Sequence, residues 1–299
     1  MFLTIFTPVY NRSKYMKRLF DSICNQNNKD FEWIIINDGS TDDTEKVIRN
    51  LIKNHKTNIS IKFISKKNGG KQRAINDAVK IAKGKYFFIV DSDDKLTPDA
   101  TQLVRKWCKE IDQLPDFNRY AGVSGLCETP SGELLSGTGD GRKSIDASNL
   151  DRHKYNLDGD MAEVYKTSIL KKYPFKEFKG ENFISEGTVW NQIAADGYIL
   201  RWHMEPIYIG EYLPDGLTQN SVSRDIKNFK GLTYATKMDL KLMGIKLKIH
   251  FLNYYVKIGR KKGLSWKKIS KLISVPKGVL IVQYYTYIAI RKMLNKPPL

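Results

Sequence analysis

Cysteine is scarce in this sequence, and Cys24, Cys108 and Cys127 are the only three in 299 residues. Their spacing shows no pairing, so the chain lacks the pattern of a disulfide framework and we expect free thiols. The opening residues 1–7 have neither a basic segment nor a cleavage site of the kind found in a secretory leader. We therefore expect a cytoplasmic protein.

A long apolar run is also missing. The stretch from Val279 to Ile290 is apolar and rich in tyrosine, but its length of about a dozen residues falls short of the roughly 20 that span a bilayer. Before it, from Phe251 to Ile273, lysines and arginines alternate with apolar and aromatic residues. Amphipathic helices of this composition lie in a membrane interface or pack as an ordinary helical bundle, and both interpretations stay open.

Acidic residues are rare near the end of the chain. The net charge is +18, and from Arg224 onward 18 Lys and Arg residues are accompanied by only Asp225 and Asp239. The first 223 residues are therefore nearly neutral. A neutral body joined to a basic region predicts an anionic partner surface, either phospholipid headgroups or nucleic acid.

The sequence does contain a regular alternation of apolar strands and amphipathic helices. With 41% hydrophobic residues, the chain can bury a full core. Strands are predicted at 2–7, 31–37, 59–64 and 85–90, the first and the last of them buried. Because helices alternate with these strands, the connections are right-handed crossovers and the sheet is parallel. All four strands therefore end at one edge, where open α/β sheets bind their ligands.

The pattern is looser beyond residue 112. We predict strands at Arg119–Leu126 and Ile199–Ile209, with His203 as a structural residue near the second of them. Helices are predicted at Met161–Lys171 and Phe183–Ala195.

The fourth strand ends in three carboxylates, Asp91, Asp93 and Asp94. Carboxylates crowded at one edge repel one another unless a cation neutralises them. Oxygen ligands without nearby Cys or His favour Mg²⁺ or Mn²⁺ over Zn²⁺, and such ions commonly hold nucleotide phosphates. A turn followed by a helix N-cap explains the same acids without a metal, because Thr97–Asp99 suits the start of a helix. The loops that precede this strand decide between the two.

The other three strand ends carry residues that suit the parts of a nucleotide. Residues 7–10 offer backbone groups and the aromatic face of Tyr10 for a base. Asp38 is suited to accept a hydrogen bond from a ring nitrogen of the base, which favours a pyrimidine such as uracil. Asn68–Arg73 presents amides and two cations to phosphate or ribose oxygens. Each motif alone is weak, and their order at consecutive strand ends is what supports a nucleotide site.

In this order the motifs resemble the family 2 glycosyltransferases of GT-A fold. The likeness rests on TPVYNR at 7–12, NDGSTD at 37–42, NGG at 68–70 and DSDD at 91–94, and it covers residues 1 to about 220. The resemblance implies an α/β fold with a Rossmann-like, mainly parallel central sheet and flanking helices. It also implies a nucleotide-sugar donor, usually UDP-linked, a divalent Mn²⁺ or Mg²⁺ ion, and inversion at the anomeric carbon.

The same resemblance implies roles for individual residues. Asp38 would recognise the base, Asp91 the ribose or donor, and Asp93 the metal that bridges the diphosphate. Asp94 is a second possible metal ligand. The residues predicted to bind the donor are Thr7, Pro8, Val9, Tyr10, Arg12, Asp38, Asn68, Gly70, Lys71, Arg73, Asp91 and Ser92.

An inverting transfer also needs a base, because a single displacement must remove the proton of the acceptor hydroxyl. In the family, the carboxylate that serves as this base lies in a Glu-Asp-like motif at the start of a helix. The corresponding stretch of this chain departs from that pattern. Glu186 stands at the Asp position, Ser185 at the Glu position and Gln192 where an arginine is usual. We predict Glu186 as the base and Glu181 as the reserve. The alternative is a glutamate that only favours the start of a helix.

Two segments are expected to line the acceptor side. In Asp158–Met161, Asp160 is predicted either to contact sugar hydroxyls or to cap a following helix. The second segment is Glu211–Thr218, where many relatives carry a histidine that helps to bind metal or diphosphate. No histidine is present there, which leaves a third protein ligand to the metal unassigned.

The sequence thus predicts a catalytic domain at residues 1–223, with a nucleotide-sugar half at 1–112 and an acceptor half at 113–223. A basic helical extension follows at 224–299. The leading hypothesis is an inverting glycosyltransferase in surface polysaccharide synthesis. It would act on a glycan or lipid-linked acceptor at the inner membrane face, with no nucleic acid as partner.

Two other functions stay open. A sugar-phosphate nucleotidyltransferase also uses a Rossmann-like sheet and a carboxylate-bound metal, but it usually has a glycine-rich basic loop after the first strand. Residues 8–12 of this chain contain no glycine. A non-enzymatic nucleic-acid binder would use the basic region from residue 224, which contains no recognised nucleic-acid module.

Overall fold

The structure is a computed structural model that describes residues 1–55, 58–211, 213, 216 and 220–294. By its internal contacts the chain divides into two compact units. The first unit comprises Met1–Phe175 and Val189–Tyr212, and the second comprises Lys176–Thr188 and Leu213–Leu299. The change-over thus falls near Leu213 instead of the predicted 223/224 boundary. The two halves predicted for the catalytic domain stay a prediction, and residues 295–299 of the predicted extension lie outside the described residues.

The first unit begins with the predicted alternation of strands and helices. Its elements are β1 (Leu3–Val9), α1 (Met16–Cys24), β2 (Phe31–Asn37), α2 (Thr44–Asn54), β3 (Ser60–Ser65), α3 (Lys71–Ile81) and β4 (Tyr86–Ile89). The strands lie in the order β3-β2-β1-β4, and every neighbouring pair is parallel. Val9 is in register with Asn37, and Asn37 with Ser65, so the carboxyl ends meet at one edge as predicted.

Burial explains why these residues form these elements. Every residue of β2 is buried, which is typical of an inner strand covered on both faces. On α1 the buried residues Met16, Leu19, Phe20 and Ile23 recur at three- and four-residue spacing and form one face against the sheet. Burying each large apolar side chain stabilises the fold by roughly 1.5–3 kcal/mol.

The remaining elements of the first unit extend the same sheet. They are β5 (Lys95–Leu96), α4 (Ala100–Asp112), β6 (Tyr120–Glu128), β7 (Ser144–Ala147), β8 (Met161–Lys166), α5 (Thr167–Leu170), α6 (Gly187–Ala195, whose first two residues belong to the second unit) and β9 (Ile199–Ile209). Described residues form a nine-stranded sheet in the order β3-β2-β1-β4-β8-β6-β9-β5, with β7 paired to β9. β8 is antiparallel to both β4 and β6, whereas β6 and β9 are parallel.

One helix prediction in this part is wrong. Residues 161–171 form β8 and the four-residue helix α5, not one helix. Tertiary pairing overrides the local spacing, because β8 lies between β4 and β6 and five of its six residues are buried. Asp160 therefore precedes a strand and caps no helix. The helix predicted at Phe183–Ala195 begins only at Gly187.

The second unit is helical from Ser221 to Met293 apart from short connections, whereas its segment 176–186 forms no helix. It contains α7 (Ser221–Lys227), α8 (Phe229–Leu242), α9 (Ile245–Lys261), α10 (Trp266–Ile273) and α11 (Lys277–Met293). These helices share their own apolar core, in which Tyr255, Val256, Ile258, Ile269 and Leu280 are fully buried. None of the described helices is long and apolar enough to cross a bilayer.

Candidate functional site

The predicted site residues of the first unit gather at the carboxyl edge of β1, β2, β3 and β4. Backbone hydrogen bonds continue past the strand ends. The amide of Asp38, which follows β2, donates to the Val9 carbonyl at 2.8 Å. The amide of Val90 likewise donates to the Phe6 carbonyl at 2.8 Å. These bonds fix where the loops leave the sheet, so the loops begin from a rigid frame.

Asp38 holds the glycine turn, which is residues 68–70. Its Oδ1 accepts a hydrogen bond from the Gly69 amide at 2.8 Å, and its Oδ2 accepts one from the Gly70 amide at 2.7 Å. Burial raises the pKa of Asp38, and the two amide bonds act in the opposite direction. Each carboxylate oxygen keeps a further lone pair, so this arrangement leaves Asp38 able to accept a bond from a base.

The glycine turn is packed tightly around Asp38. The Asn68 Nδ2 donates to the Asp38 carbonyl at 2.8 Å, and Arg73 Nη1 donates to the Gly69 carbonyl. Gly39 has a φ of +76°, and a Cβ there would lie 2.6 Å from the Asn68 nitrogen. Only glycine fits at this position, because a side chain would collide with backbone.

The acid turn, residues 91–94, meets one cation from the loop after β1 and one from the start of α3. Lys71 Nζ lies 2.7 Å from Asp91 Oδ1, and Arg12 Nε donates to Asp93 Oδ2 at 3.2 Å. The Arg12 and Asp93 side chains are only 15% and 19% exposed, so this ion pair is largely shielded from water. Burial raises the pKa of Asp93, the charge of Asp91 raises it further, and Arg12 lowers it. Burial and the neighbouring carboxylate thus disfavour the charge of Asp93, and a cation at this position acts against both.

Asp94 is held by groups from the far end of the first unit's sequence. Its Oδ2 accepts a hydrogen bond from the Tyr208 hydroxyl at 2.7 Å, and its Oδ1 accepts one from the Glu211 amide at 3.3 Å. The same hydroxyl of Tyr208 accepts a bond from the Asp91 amide at 2.9 Å. Burial, followed by the charge of Asp91, raises the pKa of Asp94 to about 7.

These acids fit a metal held partly by substrate. Within the described ranges, no group of three or more His, Cys, Asp or Glu side chains is arranged to hold a metal ion. Mg²⁺, however, is usually bound through one or two carboxylates together with substrate phosphates. Asp93 fits that arrangement, because its carboxylate is desolvated and already faces a cation. Asp94 fits less well, since burial and the charge of Asp91 raise its pKa to about 7 and so disfavour the ionised carboxylate that a metal needs.

The other residues predicted to bind the donor have different surroundings. The Thr7 hydroxyl accepts a hydrogen bond from Trp33 Nε1 at 3.1 Å within the core, so only its backbone remains for a ligand. Tyr10 is 47% exposed, and its role in stacking on a base stays a prediction. Val9 and Ser92 are buried, and Pro8 is half-buried.

The two candidate bases belong to the second unit. Glu186 is the residue before α6, and its role as base stays a prediction. Glu181 has a structural use, because its carboxylate accepts hydrogen bonds from the backbone amides of Lys230 and Gly231 at 2.8 Å each. These amides lie in the first turn of α8, where a carboxylate is favourable. Of the predicted acceptor segment 211–218, residues 212, 214, 215, 217 and 218 lie outside the described residues.

Two residues of this edge were missed from the sequence. Tyr208 connects Asp91 to Asp94, and Arg18 donates from its Nη2 to the Asp93 carbonyl. Arg18 also lies over the Tyr15 ring, 5.0 Å from its centroid. Arg18 lies only six residues after Arg12, in the helix that follows the same loop, and this proximity could have indicated its place at the site. Nothing in the sequence around Tyr208 indicates its role.

Sequence comparisons identify related proteins. A model described as glycosyl transferase family 2 matches residues 4–155. Chondroitin synthase from Pasteurella multocida is 46% identical over 104 residues, which are 35% of this chain and 10% of that protein. The GalNAc(5)-diNAcBac-PP-undecaprenol beta-1,3-glucosyltransferase of Campylobacter jejuni is 29% identical over 193 residues, 63% of this chain and 58% of that protein. The chain therefore spans about a tenth of the first relative and less than two thirds of the second.

Solved structures share the fold. S. aureus TarS 1-349 in complex with UDP-GlcNAc has a TM-score of 0.61 at 15% identity, covering 99% of this chain and 93% of its own. Mannosyltransferase PcManGT from Pyrobaculum calidifontis, in complex with GDP-Man and Mn²⁺, has a TM-score of 0.58 at 16% identity, covering 97% and 80%. These likenesses confirm the α/β fold class predicted from the sequence.

Proposed function

The chain belongs to glycosyl transferase family 2, and we propose that it is an inverting glycosyltransferase that moves a sugar from a nucleotide-sugar donor to an acceptor hydroxyl. Family membership confirms the resemblance found in the motifs. The observation that carries the proposal is the sheet edge, where the acid turn meets Lys71 and Arg12 beside the glycine turn held by Asp38. All of these residues lie within the stretch that matches the family.

The proposed donor is a UDP-sugar. Asp38 stands between the end of β2 and the glycine turn and has lone pairs for a ring N–H of uracil. Lys71 and Arg73 supply positive charge for phosphate oxygens from the start of α3. TarS was solved with UDP-GlcNAc, which supports the uridine nucleotide, whereas PcManGT was solved with GDP-Man.

The proposed cofactor is Mn²⁺ or Mg²⁺, held by Asp93 with Asp94 as a second ligand. Such an ion would offset the charge that develops on the departing diphosphate. Arg12 donates a hydrogen bond to Asp93 in this structure. Binding of the ion by Asp93 would therefore require Arg12 to share that carboxylate with the ion or to leave it. The Mn²⁺ in the PcManGT complex supports a divalent ion in this fold.

The reaction is a single displacement at the anomeric carbon. The acceptor oxygen forms the new bond to that carbon while the bond to the diphosphate oxygen breaks, which inverts the configuration. The proton of the acceptor hydroxyl passes to the base, for which we propose Glu186. Its position directly before α6 and the use of Glu181 at the start of α8 both support this choice.

The proposed acceptor is a glycan or lipid-linked glycan in surface polysaccharide synthesis. The name of the Campylobacter relative specifies a glycan on PP-undecaprenol, and the Pasteurella relative is named for the synthesis of chondroitin. A lipid-linked acceptor requires a cytoplasmic enzyme to meet the inner face of the membrane. We therefore include peripheral association with an anionic membrane surface in the proposal.

A panel of UDP-, GDP- and dTDP-sugars, each with and without Mn²⁺, tests the donor by the shift of the melting temperature. A bound donor stabilises the folded protein by mass action, so a UDP-sugar with Mn²⁺ should give the largest shift. Release of UDP should then accompany turnover. Release of pyrophosphate would instead indicate a nucleotidyltransferase and contradict the proposal.

Replacing Asp93 by Ala tests the metal role. Transfer should fall on the order of 10³-fold, because the charge of the departing diphosphate loses its partner. The matched control is Asp99→Ala, which removes a carboxylate that accepts a bond from the Thr97 hydroxyl at the start of α4. Full Mn²⁺-dependent activity of Asp93→Ala would refute the assigned metal role.

A further inference from the structure

The second unit has an apolar groove that its own core does not fill. The groove lies between α9 and α11, has a volume of about 580 Å³, and is lined by Ile249, Val279, Val282, Thr286, Tyr287 and Ile290. Val282 is 68% exposed and Val279 is 53% exposed. Contiguous apolar surface of this kind, unlike single exposed residues, indicates an interaction site.

The apolar surface continues beyond the groove along one face of α11. Residues 279, 282, 286, 290 and 293 recur at three- and four-residue spacing, so they share that face. Met293 is 81% exposed, and on α9 Ile245 is 75% exposed and precedes Ile249 by one turn. We call this surface, residues 245, 249, 279, 282, 290 and 293, the apolar face. The opposite side of α11 is used in the core, where Leu280 is fully buried.

The two helices that carry the apolar face, α9 and α11, have charged residues of one sign only. From residue 240 to residue 294 the sequence has 13 Lys and Arg residues and no Asp or Glu. Lys277 begins α11, Arg291 and Lys292 are in its last turn, and Lys246 and Lys248 alternate with Ile245 and Ile249 at the start of α9. Aliphatic side chains are thus bordered by cations at both ends of the face.

Exposed aliphatic side chains bordered by cations restrict the kind of partner that can bind the apolar face. A second copy of the chain would bring an equally basic surface against this one, and like charges would repel. Nucleic acid would satisfy the cations, but it offers no apolar partner for exposed isoleucine, valine and methionine, since bases stack on aromatic rings. An anionic lipid surface satisfies both, because acyl chains receive the aliphatic side chains and headgroups receive the lysines and arginines.

We propose that the apolar face of α9 and α11 lies in the interface of an anionic phospholipid bilayer, with Val282 and Met293 inserted below the headgroups. This assignment rests on the membrane association included in the proposed function and names the surface that makes the contact. Its test measures binding without any transfer reaction, so that the membrane contact and the glycosyltransferase activity can fail independently.

The test is flotation of the full chain with phosphatidylcholine vesicles that either contain or lack phosphatidylglycerol. The wild-type chain should float with the anionic vesicles and stay below with the neutral ones. Val282→Asp and Met293→Asp should each weaken binding about tenfold, because a charge replaces an inserted apolar side chain. Both positions are so exposed that folding should be preserved, which an unchanged melting temperature checks.

Two further variants control for charge and for apolar exposure in general. Lys277→Glu with Lys292→Glu should reduce binding to anionic vesicles and its dependence on salt. Leu134→Asp changes a residue of the first unit that is 40% exposed, and it should leave binding unchanged. Flotation of Val282→Asp and Met293→Asp at wild-type levels would overturn the assignment. So would a dimer in light scattering that Val282→Asp dissolves, or gel-shift binding to nucleic acid that Val282→Asp weakens.

Discussion

Carboxylates at the sheet edge of the first unit are paired with cations of the same unit, whereas most lysines and arginines of the second unit face water. Asp91 and Asp93 are paired with Lys71 and Arg12. In the second unit, Asp239 is the last acid among residues 224–294, and the 12 lysines and arginines from Lys246 to Lys292 follow it with no Asp or Glu between them. The first arrangement suits a small anionic ligand, which can take the place of a carboxylate as the partner of Lys71 or Arg12. The second suits an extended anionic surface.

One structural device occurs in both units. Asp38 accepts hydrogen bonds from two consecutive amides just before α3, and Glu181 accepts two from consecutive amides in the first turn of α8. A carboxylate at the start of a helix satisfies N–H groups that have no partner within the helix. The device therefore stabilises a helix start wherever it occurs. What distinguishes Asp38 is its surroundings, because the acid turn and the glycine turn lie at the same sheet edge.

The largest predicted effect concerns the two glutamates of the second unit. Glu186→Gln should lower the transfer rate by about 10²–10⁴-fold, since an amide cannot accept the acceptor proton. Donor binding, measured by calorimetry with UDP and Mn²⁺, should stay unchanged because the donor residues belong to the first unit.

Glu181→Gln is the matched control for that variant. It removes the same charge a few residues earlier and should leave the transfer rate within a few-fold of wild type. If Glu181→Gln abolishes transfer while Glu186→Gln keeps it, the base has been assigned to the wrong glutamate.

The sequence predicts the first four strands well because their signals are local. β2 and β9 have the bounds that their apolar runs predict, Phe31–Asn37 and Ile199–Ile209. Residues 161–171 have helical spacing, yet β8 forms there because two neighbouring strands supply backbone partners that no local pattern reveals. Pairing between distant strands overrides a weak helix preference.

The same limit applies to the candidate site. The acids at 91–94 and the glycines at 69 and 70 are visible as motifs at strand ends. The bond from Tyr208 to Asp94 joins residues 114 positions apart, and the bond from Arg18 to Asp93 joins residues 75 apart. Contacts of this separation depend on how the sheet is assembled. The sequence therefore predicts which edge carries the site and leaves out the groups that hold its acids.

Acid sensitivity should belong to the first unit, where a histidine is buried. The ring of His203 on β9 stacks on Trp107 with centroids 4.2 Å apart, and burial, followed by the charge of Arg201, lowers its pKa to about 3. In the unfolded chain, the imidazole of His203 has its usual pKa of about 6.5 and binds a proton below that pH. In the folded chain it does not bind this proton until a much lower pH. His203 therefore contributes a loss of stability as the pH falls below 6.5, about 2 kcal/mol between pH 7 and pH 5, whereas the raised pKa of Asp94 acts in the opposite direction over the same range.

His203→Phe keeps an aromatic ring on Trp107 and should remove the contribution of His203, so that between pH 7 and pH 5 its free energy of unfolding changes more favourably than that of the wild type by about 2 kcal/mol. The free energy of unfolding, obtained from urea titrations followed by tryptophan fluorescence, is compared at the two pH values. His153→Phe replaces an exposed histidine and should keep the wild-type dependence of the free energy of unfolding on pH. The same dependence in the His203→Phe variant and in the wild type would contradict the contribution assigned to His203.

The smallest predicted effects separate the two carboxylates that hold helix starts. In Asp38→Asn and in Glu181→Gln, the side-chain amide keeps one oxygen that accepts a hydrogen bond from a backbone N–H. Its NH₂ group replaces the other oxygen and faces the second backbone N–H, so one hydrogen bond is lost. Each variant should therefore lower the free energy of unfolding by about 1 kcal/mol. Only Asp38→Asn should also weaken the binding of UDP, by roughly tenfold, because only Asp38 is proposed to contact the base. Urea unfolding and calorimetry measure the two quantities. A similar loss of UDP affinity in Glu181→Gln would mean that the second unit takes part in donor binding, and the functional distinction between the two carboxylates would be wrong.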